Sequence, residues 1–367
     1  MSLQRLFVDV HTHIYLPRYA ALLRSRTNAP RIFSRTGPSG ATEDRLVILD
    51  NEPSDGRPVG PQYWDRDEKL KFMDRHGIDI SFVSTANPWL DFLPFADAQT
   101  LASELNAELE SYCSTSPPLA SGSHSLKRLY GIGLLPLVPN APTSELPAAV
   151  HALAKAHSHV RGVIIGTRGA GNGLDDPALE GLWAALAETG LVVFLHPHYG
   201  VDGSAWGPLD NGHVLPLALG FPFETTTAIT RLILAGILDR HPRLRILLAH
   251  AGGVLPQLSS RLASCIVHDP RVASRLQHDA RWYLDRLYFD AVAYGSAELS
   301  FVSGAAREGS RRMLFGTDHP FFPPLGAEEK WRSVVENLEA IEGVGAWRDE
   351  ERDGVRGGNA LRLFGLA

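Results

Sequence analysis

Short apolar runs and longer helical patterns alternate along the chain. In the segment 96–113, Leu101, Leu105 and Leu109 recur at every fourth position, which places them on one face of a helix. Further helices are predicted over 225–238, 253–267, 296–307, 328–341 and 360–364. The short runs are predicted to be strands because they are brief, apolar and bounded by turn residues. There are eight of them, over 6–10, 78–85, 129–137, 160–165, 191–195, 244–249, 287–291 and 312–315.

One predicted helix has both of its ends marked in the sequence. Asp176 followed by Pro177 is typical of an N-cap with proline at the first helical position. Gly190 is typical of the residue that ends a helix. A helix is therefore predicted between the fourth and the fifth strand.

Eight strands that alternate with helices predict the α/β class. Apolar runs this continuous indicate a parallel sheet that is covered on both faces. We expect a single (β/α)8 TIM barrel over residues 1–367, with an open doubly wound sheet as the alternative. The glycine-rich dinucleotide fingerprint of that alternative is missing after the first strand. The segment 24–66 has too few apolar residues for its own core, so we expect a loop insertion over the active-site face.

Composition and charge narrow the choice of partners. The chain has 367 residues, a net charge of −6 and two cysteines, Cys113 and Cys265. An acidic balance disfavours nucleic acid and anionic membranes as partners, since both reward a basic surface. Two cysteines are too few for a disulfide framework. With neither a signal-peptide pattern nor an apolar run of about 18 residues, we expect a cytoplasmic protein.

Histidines and one aspartate follow the ends of four predicted strands. The first strand runs into His11 and His13, and the fifth, sixth and eighth run into His196, His250 and Asp318. The C-terminal ends of barrel strands meet at one rim, where barrel active sites are built. We expect these side chains to lie together. The two imidazoles of the first strand would converge where that strand frays into its loop.

As ligands, these residues suit one divalent ion. His11, His13, His196 and Asp318 supply three imidazoles and a carboxylate, which fits zinc or a similar ion with one open coordination position. A two-metal hydrolase would also need a bridging group after the fourth strand, typically a carboxylated lysine, and no lysine is present there. A single-metal site is therefore favoured. His250 remains as a base, a proton donor or a substrate clamp.

These motifs resemble those of a known family. The His-x-His start, the His after the fifth strand, His-Ala-Gly-Gly and Gly-Thr-Asp-His-Pro are similar to motifs of the metal-dependent decarboxylases in the amidohydrolase superfamily. This is the group of aminocarboxymuconate semialdehyde decarboxylase. Within it, segments 87–93 and 213–222 resemble the fungal isoorotate (uracil-5-carboxylate) decarboxylases. The resemblance covers nearly the whole chain, through 8–13, 86–93, 194–200, 212–222, 264–269 and 316–324.

The resemblance implies a site and an assembly. It implies zinc bound by the four ligands named above, and a small-molecule substrate, a carboxylated pyrimidine or aromatic acid. It also implies a homodimer or homotetramer, in which Arg261 reaches into the site of a neighbouring subunit. The implied substrate residues are Asn87, His213, Phe221, His250, Phe321 and Arg261.

The implied reaction is the loss of carbon dioxide from C5 of isoorotate to give uracil, a step of thymidine salvage. Protonation of C5 lets the electrons released by cleavage flow into the neighbouring carbonyl, where a metal stabilises the charge. Asp318 is the candidate acid and His250 the runner-up, while Asn87 and His213 would read the uracil edge. The alternatives are decarboxylation of a hydroxybenzoate or of aminocarboxymuconate semialdehyde, a mononuclear metal hydrolase, and a non-catalytic metal-binding module.

Overall fold

All eight predicted strands are present in the computed structural model, which describes residues 6–37, 40–49, 56–119, 126–324 and 330–367. Strands β1 and β5 to β11 form one parallel sheet in chain order, and its strands are mostly buried because helices cover the outer face. In chain order the strands are β1 (Val8–Ile14), β2 (Arg31–Thr36), β3 (Thr42–Val47), β4 (Arg57–Pro58), β5 (Ile80–Thr85), β6 (Leu129–Gly133), β7 (Val160–Gly166), β8 (Val192–His196), β9 (Ile246–Leu248), β10 (Leu287–Asp290) and β11 (Met313–Leu314).

The parallel sheet closes on itself between β11 and β1. The backbone N–H of Val10 donates to the oxygen of Phe315 at 3.0 Å, and Thr12 forms a parallel bridge with His319. Eight parallel strands with flanking helices confirm the predicted (β/α)8 TIM barrel. The strand ends differ in detail from the prediction. For example, β6 ends before Pro136, which cannot donate to a neighbouring strand.

Helices follow the barrel strands and lie on the outside of the sheet. The predicted helix over 225–238 is divided into two by Gly236, which has a φ of 71°. The start of the helix predicted over 328–341 lies outside the described residues, and the rest forms α13. The helices are α1 (Pro17–Ser25), α2 (Pro61–Trp64), α3 (Arg66–His76), α4 (Phe95–Ser114), α5 (Leu146–Ala156), α6 (Glu180–Thr189), α7 (Phe221–Leu234), α8 (Ile237–Arg240), α9 (Leu255–His268), α10 (Pro270–Ala273), α11 (Ala280–Leu284), α12 (Ser296–Ala305), α13 (Arg332–Glu342), α14 (Asp349–Asp353) and α15 (Asn359–Leu363). Among the described helices, none has the length and apolar character that crossing a membrane requires.

The end signals predicted for α6 are confirmed. The side chain of Asp176 accepts a hydrogen bond from the backbone N–H of Ala178 at 3.0 Å, which satisfies one free N–H of the first turn. A short 3-10 turn, Pro177–Leu179, then leads into α6. Gly190 ends the helix with a φ of 66°, a conformation that glycine adopts without steric cost.

The insertion at 24–66 differs from the predicted loop. Where it is described, β2, β3 and β4 form a small antiparallel sheet, and α2 follows it. The strands of this sheet are largely polar and partly exposed, so their hydrophobic pattern is too weak to predict them. Tyr63 of α2 stacks on Tyr15, which follows β1, with ring centroids 5.3 Å apart. The insertion therefore packs against the C-terminal end of the first barrel strand.

Candidate metal centre

The two histidines of β1 lie side by side inside the barrel. His11 and His13 are fully buried, and their Nε2 atoms are 3.0 Å apart. Being two positions apart in a strand, they share one face. The two rings converge as expected, but within the strand and not in a frayed end, because β1 continues through both residues to Ile14.

Asp318 joins these imidazoles from the loop after β11. Its Oδ1 atom lies 3.2 Å from Nε2 of His11 and 3.4 Å from Nε2 of His13. The φ of Asp318 is 56°, in the left-handed region that aspartate adopts more readily than most residues. Gly316 allows this loop to approach β1 closely, since a Cβ there would lie 2.7 Å from the Cβ of His11. The loop thereby directs the carboxylate at the two rings.

His196 and His250 complete the cluster. One ligand atom from each of His11, His196, His250 and Asp318 lies within 4.8 Å of all the others. The ring centroid of His196 is also 4.9 Å from that of His13, and Nε2 of His250 is 3.6 Å from Oδ2 of Asp318. The structure thus brings all five residues predicted from the four strand ends together. His250, which we expected beside the ligand set, lies among the possible ligands.

Hydrogen bonds at Nδ1 determine which nitrogen carries the proton in two of these rings. Nδ1 of His13 lies 2.9 Å from Oγ of Ser84, and that hydroxyl donates its own proton to the oxygen of Thr12. Nδ1 of His196 lies 2.8 Å from the oxygen of Pro197, which can only accept. Both rings therefore donate from Nδ1. Their Nε2 lone pairs remain free to bind a ligand.

The Nε2 atom of His196 is buried and has no hydrogen-bond partner among the described residues. Leaving a buried acceptor unsatisfied costs about 1–3 kcal/mol, so such an atom calls for an explanation. A divalent ion takes lone pairs from neutral imidazoles and from carboxylates. The donors of this cluster fit such an ion.

The charges of the cluster also suit a cation. Burial disfavours the ionised form of Asp318, but His11 and the other imidazoles outweigh it and hold the pKa of this carboxyl well below its usual range. Burial lowers the pKa of His13 to about 4 and that of His196 well below its ordinary value. For His11, burial is outweighed by Asp318 and Asp290, which raise its pKa to about 10, so a proton must leave this ring before it can bind a metal ion. The rings of His13 and His196 are neutral beside an ionised carboxylate.

The end of β7 has no room for a bridging ligand. β7 ends at Gly166, where a Cβ would lie 2.4 Å from the ring of Trp89 and 2.6 Å from Nδ1 of His198. A lysine at this position would collide with both side chains. This packing agrees with the sequence-based preference for a single metal ion.

One predicted substrate residue, Phe321, lies beside the cluster, and a second, Asn87, is hydrogen-bonded to the loop after β8. The ring of Phe321 is 5.7 Å from that of His13 and 6.1 Å from that of Tyr63. Asn87 is buried, and its Nδ2 donates to the backbone oxygen of His198 at 2.7 Å. Phe321 forms a wall beside the metal ligands. Asn87 connects the loops that follow β5 and β8, and its Oδ1 atom remains available.

The other predicted substrate residues are less closely connected to the cluster. Phe221 begins α7 and lies against Gly200, where a Cβ would be 3.3 Å from the phenylalanine ring. His213 and Arg261 are exposed, and neither side chain has a hydrogen bond or an ion pair within the described part of the chain. No hydrogen bond or ion pair among the described residues connects these two side chains to the cluster.

Two residues that bind ring nitrogens of the cluster were not predicted from the sequence. Ser84 lies in β5 and binds Nδ1 of His13. Asp290 is the last residue of β10, and its Oδ2 atom is 2.6 Å from Nδ1 of His11. A signal was present for the aspartate, because it is a polar residue at the C-terminal end of a predicted barrel strand. The serine has no such signal, since its side chain is not a typical metal ligand.

Comparisons with known proteins place this fold and cluster in a family. The amidohydrolase family model matches residues 8–366. The crystal structure of apo IDCase from Metarhizium anisopliae has a TM-score of 0.88 and 42% identity, covering 100% of this chain and 99% of that one. The 2-amino-3-carboxymuconate-6-semialdehyde decarboxylase of Dictyostelium discoideum is 28% identical, over 98% of this chain and 91% of its own. The γ-resorcylate decarboxylase of a Rhizobium species is 28% identical, over 89% and 98%.

Three findings agree. The family match extends over most of the chain, the relatives include named decarboxylases that align along most of their length, and the barrel holds a cluster of histidines and an aspartate at its C-terminal rim. A metal-dependent reaction fits the donor set of that cluster. The chain therefore belongs to the amidohydrolase family, and within it to the metal-dependent decarboxylases.

Proposed function

We propose that the chain is a zinc-dependent isoorotate decarboxylase, which converts 5-carboxyuracil to uracil and carbon dioxide. The observation that carries this proposal is the 42% identity to the Metarhizium anisopliae IDCase (isoorotate decarboxylase) over nearly all of both chains. The relatives named for other carboxylates, from Dictyostelium and Rhizobium, are 28% identical. The higher identity favours the pyrimidine substrate.

We assign His11, His13, His196 and Asp318 as the zinc ligands, with His250 beside them. A bound zinc ion would supply Lewis-acid stabilisation of substrate oxygens on which negative charge develops. The chain itself keeps the ligands oriented, because the Nδ1 atoms of three of the rings are held by Asp290, Ser84 and the backbone at position 197.

The reaction needs one proton at C5 of the pyrimidine before the bond to the carboxylate breaks. We propose that Asp318 delivers it from its place among the metal ligands. The surrounding imidazoles hold the pKa of this carboxyl well below its usual range, so it is ionised at rest and must take up a proton before it can act. His250 lies 3.6 Å from this carboxylate and its side chain is 18% exposed. It can therefore return a proton from solvent to Asp318, or deliver the proton itself. The electron pair of the broken bond returns to the ring, and carbon dioxide leaves.

Substrate binding is assigned to residues near the cluster and at its margin. Phe321 lies beside His13, where its ring can pack against a pyrimidine ring. Phe221, at the start of α7, would pack against the same ring from another side. Asn87 is a buried residue whose side-chain oxygen can accept from an N–H of uracil. His213 would bind the outer edge of the substrate.

We also propose that the enzyme is a homodimer or homotetramer. Arg261 lies in the middle of α9, exposed and without a polar partner among the described residues. Leu258, one turn earlier on the same side of the helix, is 44% exposed. An apolar residue beside an unpaired guanidinium fits a surface that meets a second copy of this chain. The guanidinium would bind an oxygen of the substrate in the partner.

A hydroxybenzoate is the second candidate substrate. It is supported by the γ-resorcylate decarboxylase above and by the 6-methylsalicylic acid decarboxylase of Penicillium expansum, which is 33% identical over 53% of this chain and 56% of its own. The buried amide of Asn87 favours the pyrimidine, because a benzene ring offers no ring N–H to that oxygen.

Incubation with isoorotate tests the proposal. The purified, zinc-loaded chain is expected to release uracil and carbon dioxide in equal amounts without an organic cofactor, as measured by chromatography and gas detection. 2,6-Dihydroxybenzoate is the competing substrate, and the His11→Ala chain is the control for activity carried by contaminants. A higher kcat/KM for the dihydroxybenzoate, or no uracil at all, would contradict the assignment of the substrate.

A further inference from the structure

Asp290 reaches two separate parts of the cluster from the end of β10. It is fully buried, and its Oδ2 atom accepts from Nδ1 of His11 at 2.6 Å. The same oxygen accepts from the backbone N–H of His250 at 3.0 Å. One carboxylate oxygen thus contacts the ring of one cluster residue and the backbone of another.

The second oxygen of Asp290 holds the adjoining backbone. Oδ1 accepts from the N–H groups of Ala251 at 2.8 Å and Val292 at 3.1 Å. Among the described residues its four partners are all N–H donors, so both oxygens must accept, which only the ionised carboxylate can do. An asparagine in its place would direct an NH2 group at some of these donors.

The backbone that Asp290 holds is in an unusual conformation. His250 and Ala251 both have a φ of 54°, a region that residues with a side chain rarely adopt. In this conformation their successive N–H groups point to the same place, and an anion there stabilises such a turn. The buried carboxylate of Asp290 is that anion. The turn that it stabilises fixes the backbone of His250 and therefore the position of its imidazole.

We propose that Asp290 is a positioning residue that joins the metal-binding and the proton-handling parts of the site. Through Nδ1 it sets the orientation of His11 toward the metal, and through the left-handed turn it sets the place of His250 beside Asp318. The same substitution should therefore weaken metal binding and also slow the step that uses His250. The inference rests on the proposed metal-dependent function, but its first test needs no substrate.

The metal-binding arm compares Asp290→Asn with Asp239→Asn. Asp239 lies in α8 and accepts from the hydroxyl of Tyr283 and from the N–H of Gln277, and neither partner belongs to the cluster. Affinity for Co2+ is measured by equilibrium dialysis, and the visible spectrum of bound Co2+ reports the ligand geometry. Asp290→Asn is expected to bind Co2+ about 10–100-fold more weakly and with a changed spectrum, as other partners of metal-bound histidines do. Asp239→Asn is expected to keep both.

Urea unfolding of each variant separates loss of the site from loss of the fold. If Asp290→Asn fails to fold, Asp290→Glu is measured instead, since it keeps the charge but displaces the oxygens. Equal Co2+ affinities and spectra for the Asp290 variant and the Asp239 variant would overturn the proposal, because any carboxylate that accepts hydrogen bonds would then have the same effect.

The second arm measures kcat on isoorotate at saturating metal. At saturating metal, kcat of Asp290→Asn should stay about tenfold or more below that of the unchanged chain, as expected for the loss of a group that handles protons. The pH dependence of kcat should also shift, because added metal does not restore the position of His250. In the double variant with His250→Asn, the Asp290 substitution should add little further loss. Full recovery of kcat at saturating metal, or independent losses in the double variant, would contradict the link to His250. If the unchanged chain forms no uracil while the Co2+ difference persists, the substrate assignment fails and the role of Asp290 toward the metal stands.

Discussion

At the scale of single residues, the site depends on which nitrogen of each imidazole is free. Oγ of Ser84 and the backbone oxygen of Pro197 accept hydrogen bonds from Nδ1 of His13 and His196. The Nε2 atoms of these rings therefore keep their lone pairs on the side of Asp318. These contacts orient the imidazoles so that ligand atoms from several strand ends lie together. Two predictions belong to this scale.

Removal of the metal should abolish turnover. The unpaired Nε2 of His196 and the ionised Asp318 indicate an ion held by the protein, so the purified enzyme is expected to carry about one divalent ion per chain. Elemental analysis measures this content. Exhaustive chelation should remove activity, and zinc should restore it. Full activity in chelated, metal-free protein would exclude a metal-dependent reaction.

Replacement of Asp318 by asparagine should reduce kcat far more than it changes KM. Asparagine keeps an oxygen that can bind the metal weakly, but it has no acidic proton, and general acid catalysis contributes about 10²–10⁴-fold. Steady-state kinetics at restored metal content tests this. Asp349→Asn is the control, since that carboxylate lies in α14 and is 99% exposed. A near-normal kcat in Asp318→Asn would transfer the role of proton donor to His250.

At the scale of secondary-structure elements, the strands could be predicted because they are continuous apolar runs between polar turns. The sheet of β2, β3 and β4 could not, since its residues are mixed and half exposed and its pairing comes from tertiary contacts. The cap of α6 is local and was therefore visible in the sequence.

Asp176→Ala should destabilise the fold by about 0.5–2 kcal/mol, because it leaves the N–H of Ala178 unpaired. Urea unfolding measures the change, and an unaltered free energy of unfolding would show that the cap contributes nothing.

The contact between α3 and α13 should make stability depend on pH. Nε2 of His76 accepts from the N–H of Trp331 at 3.3 Å, and burial together with Lys330 and Arg75 lowers the pKa of His76 to about 4. The ordinary pKa of histidine is about 6.5, so between these values the unfolded chain binds more protons than the folded chain. The free energy of unfolding should therefore fall as the pH falls from about 6.5 toward 4.

The variant His76→Gln should show a smaller loss of stability on acidification, because glutamine can still accept from Trp331 but does not titrate. Urea unfolding at pH 7 and pH 4.5 gives the difference. His151→Gln is the matched control, as that side chain is 51% exposed and should leave the pH dependence unchanged. Identical acid losses in His76→Gln and the unchanged chain would contradict the prediction.

At the scale of the whole molecule, the sequence could predict where the site lies but not all of its contacts. Parallel barrel strands bring their C-terminal ends to one rim, so His11, His196 and Asp318 could be placed together without a structure. The distance from His250 to Asp318 and the bonds of Asp290 to His250 and Ala251 depend on loop conformations with positive φ, which no spacing rule describes. The contacts that we propose between copies of the chain are also beyond such rules.

Mixing two inactive variants tests whether Arg261 completes the site of a partner. Arg261→Ala and His11→Ala should each be nearly inactive alone, the first for lack of the partner's guanidinium and the second for lack of a metal ligand. After subunit exchange in equal amounts, half of the dimers should pair the two variants, and each such dimer should hold one complete site. Activity should then return to about a quarter of that of the unchanged enzyme. Arg271→Ala, which removes an exposed arginine from α10, should stay active and so control for loss of surface charge. A fully active Arg261→Ala enzyme, or no recovery despite exchange shown by mass-labelled subunits, would place Arg261 outside the site.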